Sequence, residues 1–375
     1  MAKKAALVLE DGAVCEGYSF GAESSAYGEV VFNTGMTGYQ EMLTDPSYAG
    51  QIVACTYPLV GNYGINTEDI ESKQIQVSGF VVRELCEKPS HWRSTKTLSQ
   101  YLAENNTPGI SGVDTRALTR RLRSAGVMMG TITLDESPKE ALRQLKDLPR
   151  YDDIDFVRAV STPVPYRWEA GPVLYAPLDG AHSFGPPHVI AIDCGLRYSI
   201  LRILRRLGCG VTVVPSTFSA EDILKLGPDG IVLSPGPGDP ALLGHMEETV
   251  RSLIGTRPIM GICLGHQLIA RAFGGRTFKL RFGHRGANQP VRDLETGRVH
   301  ITAQNHGYAV DAGSLKGGLE VSHINLNDST VEGLRHRQLP LLSIQYHAEG
   351  SPGPLDNMYL FERFLEMVTG NRTKH

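Results

Sequence analysis

Pro258-Ile-Met-Gly-Ile-Cys-Leu-Gly-His-Gln267 reads as a short apolar strand, a tight turn built on Gly261-x-Cys263-x-Gly265, and the start of a helix running to about Phe273. A nucleophile carried on such a turn needs small residues two positions to either side, because a Cβ there collides with neighbouring backbone. The helix that follows offers unpaired N–H groups and the positive end of its dipole to the sulfur. Both favour the thiolate and supply donors for an oxyanion. A buried structural cysteine in a Gly-rich turn has the same local appearance, so this stretch alone leaves both readings open.

Working outward, the same alternation continues upstream. Val189–Asp193, Val211–Val214 and Gly230–Leu233 are apolar runs of strand length. Between and after them lie helical spacings over Tyr198–Leu207 (closed by Gly208), Ala220–Leu226 and His245–Ile254. Near-continuous apolar strands alternating with helices predict βαβ units and a mostly parallel sheet covered by helices, over residues 188–372. Beyond Gly275 the pattern turns to strand-like segments with polar turns, then a last helix from about Leu355 to Val368.

A thiolate needs a base, and the base needs an orienter. His347-Ala-Glu349 ends the apolar run Leu341–Tyr346. Residues two apart on a strand point to one side, so Glu349 is placed to hold the His347 tautomer. A surface histidine beside a solvated glutamate is the plain alternative. Ser234-Pro-Gly-Pro-Gly-Asp-Pro240 follows a predicted strand, and its glycines permit close backbone approach for N–H donors. An ordinary turn would look alike. It is no phosphate loop, because Gly-x-x-x-x-Gly-Lys-Ser/Thr occurs nowhere. His266 lacks a second Cys/His pair at ligand spacing, so no metal site is expected.

The first 150 residues form a Gly-punctuated mixed α/β region. Gly28–Asn33 and Gln51–Cys55 read as strands, and Asp114 as the N-cap of a helix to about Ser124 closed by Gly126. Residues 151–187 carry Pro163, Pro165, Pro172, Pro177, Pro186 and Pro187 and read as a connection. The balance of 37 Lys+Arg against 40 Asp+Glu argues against binding nucleic acid through bulk basic charge. No apolar run approaches the roughly 20 residues of a membrane span. Six scattered cysteines without a C-x-x-C pair suit reduced thiols, and the expectation is a soluble cytoplasmic protein with no membrane partner.

Gly-Ile-Cys263-Leu-Gly-His-Gln267, Ser-Pro-Gly236-Pro-Gly238-Asp-Pro, Gln304-Asn305-His-Gly307-Tyr308 and His347-Ala-Glu349 together resemble the class I glutamine amidotransferases. Leu7–Gly12, Gly28–Thr34, Met36–Glu41, Leu43–Tyr48 and Tyr57–Gly64 are similar to the small-chain family of carbamoyl-phosphate synthetases. The resemblance runs over essentially the whole chain. It implies hydrolysis of L-glutamine to glutamate and ammonia, with Cys263 as nucleophile, His347 as base and acid, and Glu349 orienting it. Glutamine contacts would fall on Ser47, Gly236, Gly238, Leu264, Gln267, Asn305, Gly307 and Tyr308, with N–H groups near Gly238 and Leu264 as the oxyanion hole.

Ser47 would put the site near the domain interface. The partner implied is a large synthetase subunit, forming a heterodimer or higher oligomer, which binds MgATP and bicarbonate and makes carbamoyl phosphate for arginine and pyrimidines. No cofactor is implied for this chain. Four positions depart from the family pattern: Pro235 where Asn is common, Ala348 where Pro is common, Tyr308 where Phe is common, and Arg197 where Lys is frequent. Other readings are an amidotransferase component of another pathway, a free-standing γ-glutamyl hydrolase, or an idle docking protein. The long N-terminal region counts against the first, and the retained Cys263, His347 and Glu349 against the last.

Overall fold

The computed structural model describes residues 3–169 and 185–372. The chain divides into two compact units, residues 1–154 with 281–286, and residues 155–280 with 287–375. Against the sequence bounds of 1–150, 151–187 and 188–372, the division falls at 154/155 and six residues from the C-terminal half join the first unit.

The first unit carries strands β1 (Lys4–Leu9), β2 (Val14–Gly21), β3 (Ala26–Asn33), β4 (Gln51–Cys55), β5 (Leu59–Val60), β6 (Gly79–Val81), β7 (Glu84–Leu85), β8 (Pro108–Ser111) and β9 (Met128–Thr133). Seven of them close into a barrel in the order β1-β2-β8-β6-β4-β3-β9, and β5 pairs with β7 apart from it. Side chains alternate along β3 and β4. Val30, Phe32, Ile52 and Ala54 join one apolar cluster, whereas Val31 and Val53 join another. Both faces of these strands are therefore buried, which is why they read as unbroken apolar runs.

The helix Thr115–Ala125 is capped as its sequence requires, with the Asp114 carboxylate accepting from Ala117 N and Gly126 closing it at φ 105°. Residues 281–286 attach here. Val127 N donates to Arg281 O at 2.9 Å, Thr34 N to Arg285 O at 3.1 Å, and the Phe282 ring stacks on Phe32 at 5.9 Å.

The second unit carries β10 (Tyr166–Trp168), β11 (His188–Asp193), β12 (Gly210–Pro215), β13 (Gly230–Leu233), β14 (Ile259–Ile262), β15 (Thr277–Asp293), β16 (Val299–Val310), β17 (Leu319–Asn325), β18 (Val331–His336) and β19 (Leu341–Ile344). They form one sheet in the order β10-β12-β11-β13-β14-β19-β18-β17-β15-β16. The five strands β12, β11, β13, β14 and β19 are parallel. From β19 onward, the neighbours β18 and β17 and their pairing with β15 are antiparallel.

Helices cover both faces of the parallel part. Ile190, Ile192, Ile231, Leu233 and Ile259 pack with Leu253, Leu268 and Ile269 on one side. Val189, Ala191, Val232, Met260 and Ile344 pack with Ile200, Leu204, Phe361 and Phe364 on the other. Each of the larger side chains among these contributes about 1.5–3 kcal/mol by leaving water.

Ordered structure falls within the predicted connection, and the start of the last helix needs correction. The stretch read as a connection contains a helical turn, Val157–Val160, and β10, which pairs antiparallel with β12. β10 therefore forms a sheet edge, and Pro163 and Pro165 lie just before it, outside its ladder. Pro172 and Pro177 lie outside the described residues. The last helix spans Tyr359–Arg372 and starts after a turn at Asp356–Met358, because Pro354, Asp356 and Asn357 favour a turn over a first helical turn. Among the described residues no helix is long and apolar enough to cross a membrane.

Candidate active site

The loops that leave the C-terminal ends of β11, β13, β14 and β19 carry Arg197, Pro235–Gly238, Cys263 and His347–Glu349. This is the edge of a parallel sheet where ligands characteristically bind.

Cys263 follows β14 directly and caps the helix Leu264–Ala272 with φ 52° and ψ −103°. A non-glycine residue held there costs of order 1–3 kcal/mol and persists only where the surroundings over-determine it. They do so here. Cys263 N donates to Ile344 O at 2.8 Å, and Gly265 N to Ser234 O at 3.2 Å. A Cβ on Gly265 would stand 2.3 Å from Leu233 O, and one on Gly261 would stand 2.8 Å from the Gly265 backbone. The two glycines are thus demanded by the close approach of β13, β14 and the helix.

His347 sits just past β19, bridged to β16, with its N–H donating to Ala303 O at 2.8 Å. Its Nδ1 lies 2.7 Å from Glu349 Oε1, and both side chains are buried. Arg197 Nη1 donates to the same Oε1 at 3.1 Å and lies 3.1 Å from His347 Nδ1. Its Nη2 donates to the carbonyls of Gly350 and Ser351.

Burial alone pulls the His347 ring down, but the Glu349 carboxylate and the Cys263 sulfur outweigh it and raise its pKa to about 10. Burial pushes the Glu349 carboxyl up, and the charges of His347 and Arg197 overcome that and hold it below the usual carboxylate range. His347 Nε2 completes no well-formed hydrogen bond among the described residues, although the sulfur acts on the ring. The arrangement favours an imidazolium held by the Glu349 carboxylate, a base oriented by a third group as a thiol nucleophile requires.

Around the sulfur, the Cys263 thiol donates to Asn305 O at 3.6 Å, and Gln345 Nε2 lies 3.7 Å from Sγ. Gln267 Nε2 donates to Tyr308 O at 2.9 Å and to Gln345 Oε1 at 3.1 Å. The second unit therefore gathers Cys263, His347, Glu349, Gln267, Asn305 and Tyr308.

Gly236 belongs to the loop after β13, where a Cβ would meet Cys194 O at 2.2 Å and the Leu264 side chain at 2.7 Å. Gly238, two residues on, turns the chain at φ 90°. Gly307 lies on β16 between Asn305 and Tyr308. Ser47 belongs to the first unit. Its N–H donates to the Asp45 carboxylate at 2.9 Å, and its buried hydroxyl has no hydrogen-bond partner among the described residues.

Two contributors escaped the sequence reading. Arg197 was visible only as a departure from a pattern. Gln345 sits two residues before His347, and a polar residue at that spacing inside an apolar run was the available signal.

Residues 7–132 match the family described as carbamoyl-phosphate synthase small chain, CPSase domain, and residues 190–367 match glutamine amidotransferase class-I. Carbamoyl phosphate synthase small chain of Syntrophotalea carbinolica is 51% identical over 373 residues, 98% of this chain and 99% of that one. The protein of that name from Aquifex aeolicus is 50% identical over 99% of this chain and 100% of its own. That of Archaeoglobus fulgidus is 50% identical over 97% and 99%.

Proposed function

The chain belongs to the carbamoyl phosphate synthase small chain family, and from that premise we propose that it hydrolyses L-glutamine at Cys263 and delivers the ammonia to a large synthetase subunit. The observation that carries this reading is the buried His347–Glu349 pair at 2.7 Å, set one strand over from the elbow that bears Cys263.

The Cys263 thiolate attacks the side-chain carboxamide carbon of glutamine, forming a C–S bond and a tetrahedral oxyanion. Backbone N–H groups at Leu264 and near Gly238 are the donors for that oxygen. Collapse breaks the C–N bond. The imidazolium of His347 gives its proton to the departing nitrogen, which leaves as ammonia. Neutral His347 then takes a proton from water, the resulting hydroxide adds to the γ-glutamyl thioester, and glutamate departs as the thiolate reforms. Glu349 keeps the His347 ring oriented throughout.

Ser47, Gly236, Gly238, Leu264, Gln267, Asn305, Gly307 and Tyr308 are the residues proposed to bind glutamine. The large subunit supplies the MgATP and bicarbonate chemistry in a heterodimer or larger assembly, on the way to arginine and pyrimidines.

The test is reconstitution with a large synthetase chain, reading ATP turnover with glutamine or with added ammonia as nitrogen source. Cys263→Ser should abolish the glutamine-dependent rate and leave the ammonia-dependent one. Loss of both would make the cysteine structural and overturn the reading.

A further inference from the structure

Gln345 is a fully buried polar residue in the bend that follows β19, between Ile344 and His347. Its backbone N–H donates to Glu332 O at 2.9 Å. Its side chain is placed from both ends. The Oε1 accepts from Gln267 Nε2 at 3.1 Å, so the amide cannot be turned over without setting two N–H groups against each other. Gln267 is fixed in turn, because its Nε2 also donates to Tyr308 O. The NH2 of Gln345 is thereby aimed at the Cys263 sulfur, 3.7 Å away.

We infer that Gln345 is the hydrogen-bond donor that holds the Cys263 thiolate for attack, and that Gln267 locks it in that orientation. The inference rests on the reading of Cys263 as the nucleophile. In the thiol state the S–H donates to Asn305 O at 3.6 Å. Once the proton leaves, that carbonyl faces an anion and repels it, while the Gln345 N–H becomes a charge-assisted donor. The charged groups gathered on this side are His347, Glu349 and Arg197, so Gln345 adds a neutral, fixed dipole beside a titrating pair. Because Gln267 is also a proposed glutamine contact, substrate and nucleophile share one chain of amides.

The test uses the full-length chain with Gln345→Met, which keeps the volume, and Gln345→Glu, which keeps the shape but turns the donor into an acceptor. Alkylation of Cys263 by iodoacetamide is followed against pH, with Cys263→Ser subtracting the other thiols. Acid-trapped γ-glutamyl thioester from labelled glutamine is followed alongside. Gln345→Met should move the alkylation profile up by about one pH unit and slow thioester formation about tenfold, with a larger loss for Gln345→Glu.

A profile and rate within twofold of wild type in either folded variant overturns the inference. If Gln345→Met fails to fold, Gln345→Glu decides alone: wild-type behaviour means shape alone matters. Should the wild-type chain trap no thioester, the function reading fails, whereas the alkylation profile still tests the hydrogen bond.

Discussion

The Arg197 guanidinium and the Glu349 carboxylate form an ion pair at 3.1 Å, with side chains 4% and 0% exposed. Arg197 stands on the loop after β11 and Glu349 beyond β19, strands separated in the sheet by β13 and β14. The carboxylate that orients His347 is thus itself held by a cation from a distant strand, through Oε1, the oxygen that faces the ring.

Removing the cation alone should be costly. Arg197→Met leaves the buried Glu349 carboxylate with His347 but without its guanidinium, and breaking such a buried pair destabilises by up to about 3–5 kcal/mol. Urea denaturation at neutral pH measures it, and a loss below about 1 kcal/mol would show the pair to be dispensable. Arg197→Lys keeps the charge but not the fork that reaches the Gly350 and Ser351 carbonyls, so its loss should be smaller.

The alkaline limb of stability reports on His347. Its pKa is raised from 6.5 to about 10, so the folded chain holds a proton that the unfolded chain releases between those values. The stabilisation is complete below pH 6.5 and is lost as pH rises through the window. Glu349→Gln removes the carboxylate and should flatten the decline between pH 7 and 9.5. An unchanged slope in denaturation midpoints would assign the decline to other groups.

His266 governs the opposite limb. It is fully buried against Ser343 Oγ at 2.9 Å, and burial lowers its pKa to about 3. The unfolded ring binds a proton near pH 6.5 and the folded ring does not, so stability falls as pH drops from 6.5 towards 3. The slope from one proton is about 1.4 kcal/mol per pH unit. His266→Gln should reduce the fall between pH 7 and 5 by about one proton. His323, lowered to about 4, retains its own share. Parallel curves for variant and wild type would contradict this.

The elbow's tolerance can be probed with alanine. At Gly265 the new Cβ meets the Leu233 backbone at 2.3 Å, whereas at Gly244 nothing lies within 4 Å. Gly265→Ala should lose about 1–3 kcal/mol and most of the glutaminase activity, since backbone must shift beneath Cys263. Gly244→Ala should be near neutral in thermal melts and turnover. Equal effects at the two positions would remove the packing argument.

The parallel sheet of the second unit was legible because its strands are buried on both faces and each is followed by a helix with its own stop signal, such as Gly208 after the helix Tyr198–Arg206. The elbow was legible for the same reason: steric need fixes residue type at Gly261 and Gly265. The barrel was not. Its closure depends on pairings distant in sequence, β2 with β8 and β1 with β9, which no local periodicity encodes. The excursion of residues 281–286 was hidden likewise, inside the continuous strand β15. At the site, Cys263 and His347 declared themselves by neighbours in sequence. Gln345 and Arg197 act through neighbours in space, so a single chain read linearly gives them little emphasis.

The hexapeptide 281–286 has a further bearing on how this polypeptide can be taken apart. A scission at 154/155 would release an amino-terminal fragment lacking Phe282 and the carbonyls that Thr34 and Val127 rely on. Gene fusions or shuffled chimaeras that exchange the carboxy-terminal half would carry a foreign patch into the barrel. Inheritance of the two halves is therefore tied together at six residues, and sequence drift at Phe32 should be accompanied by drift at Phe282.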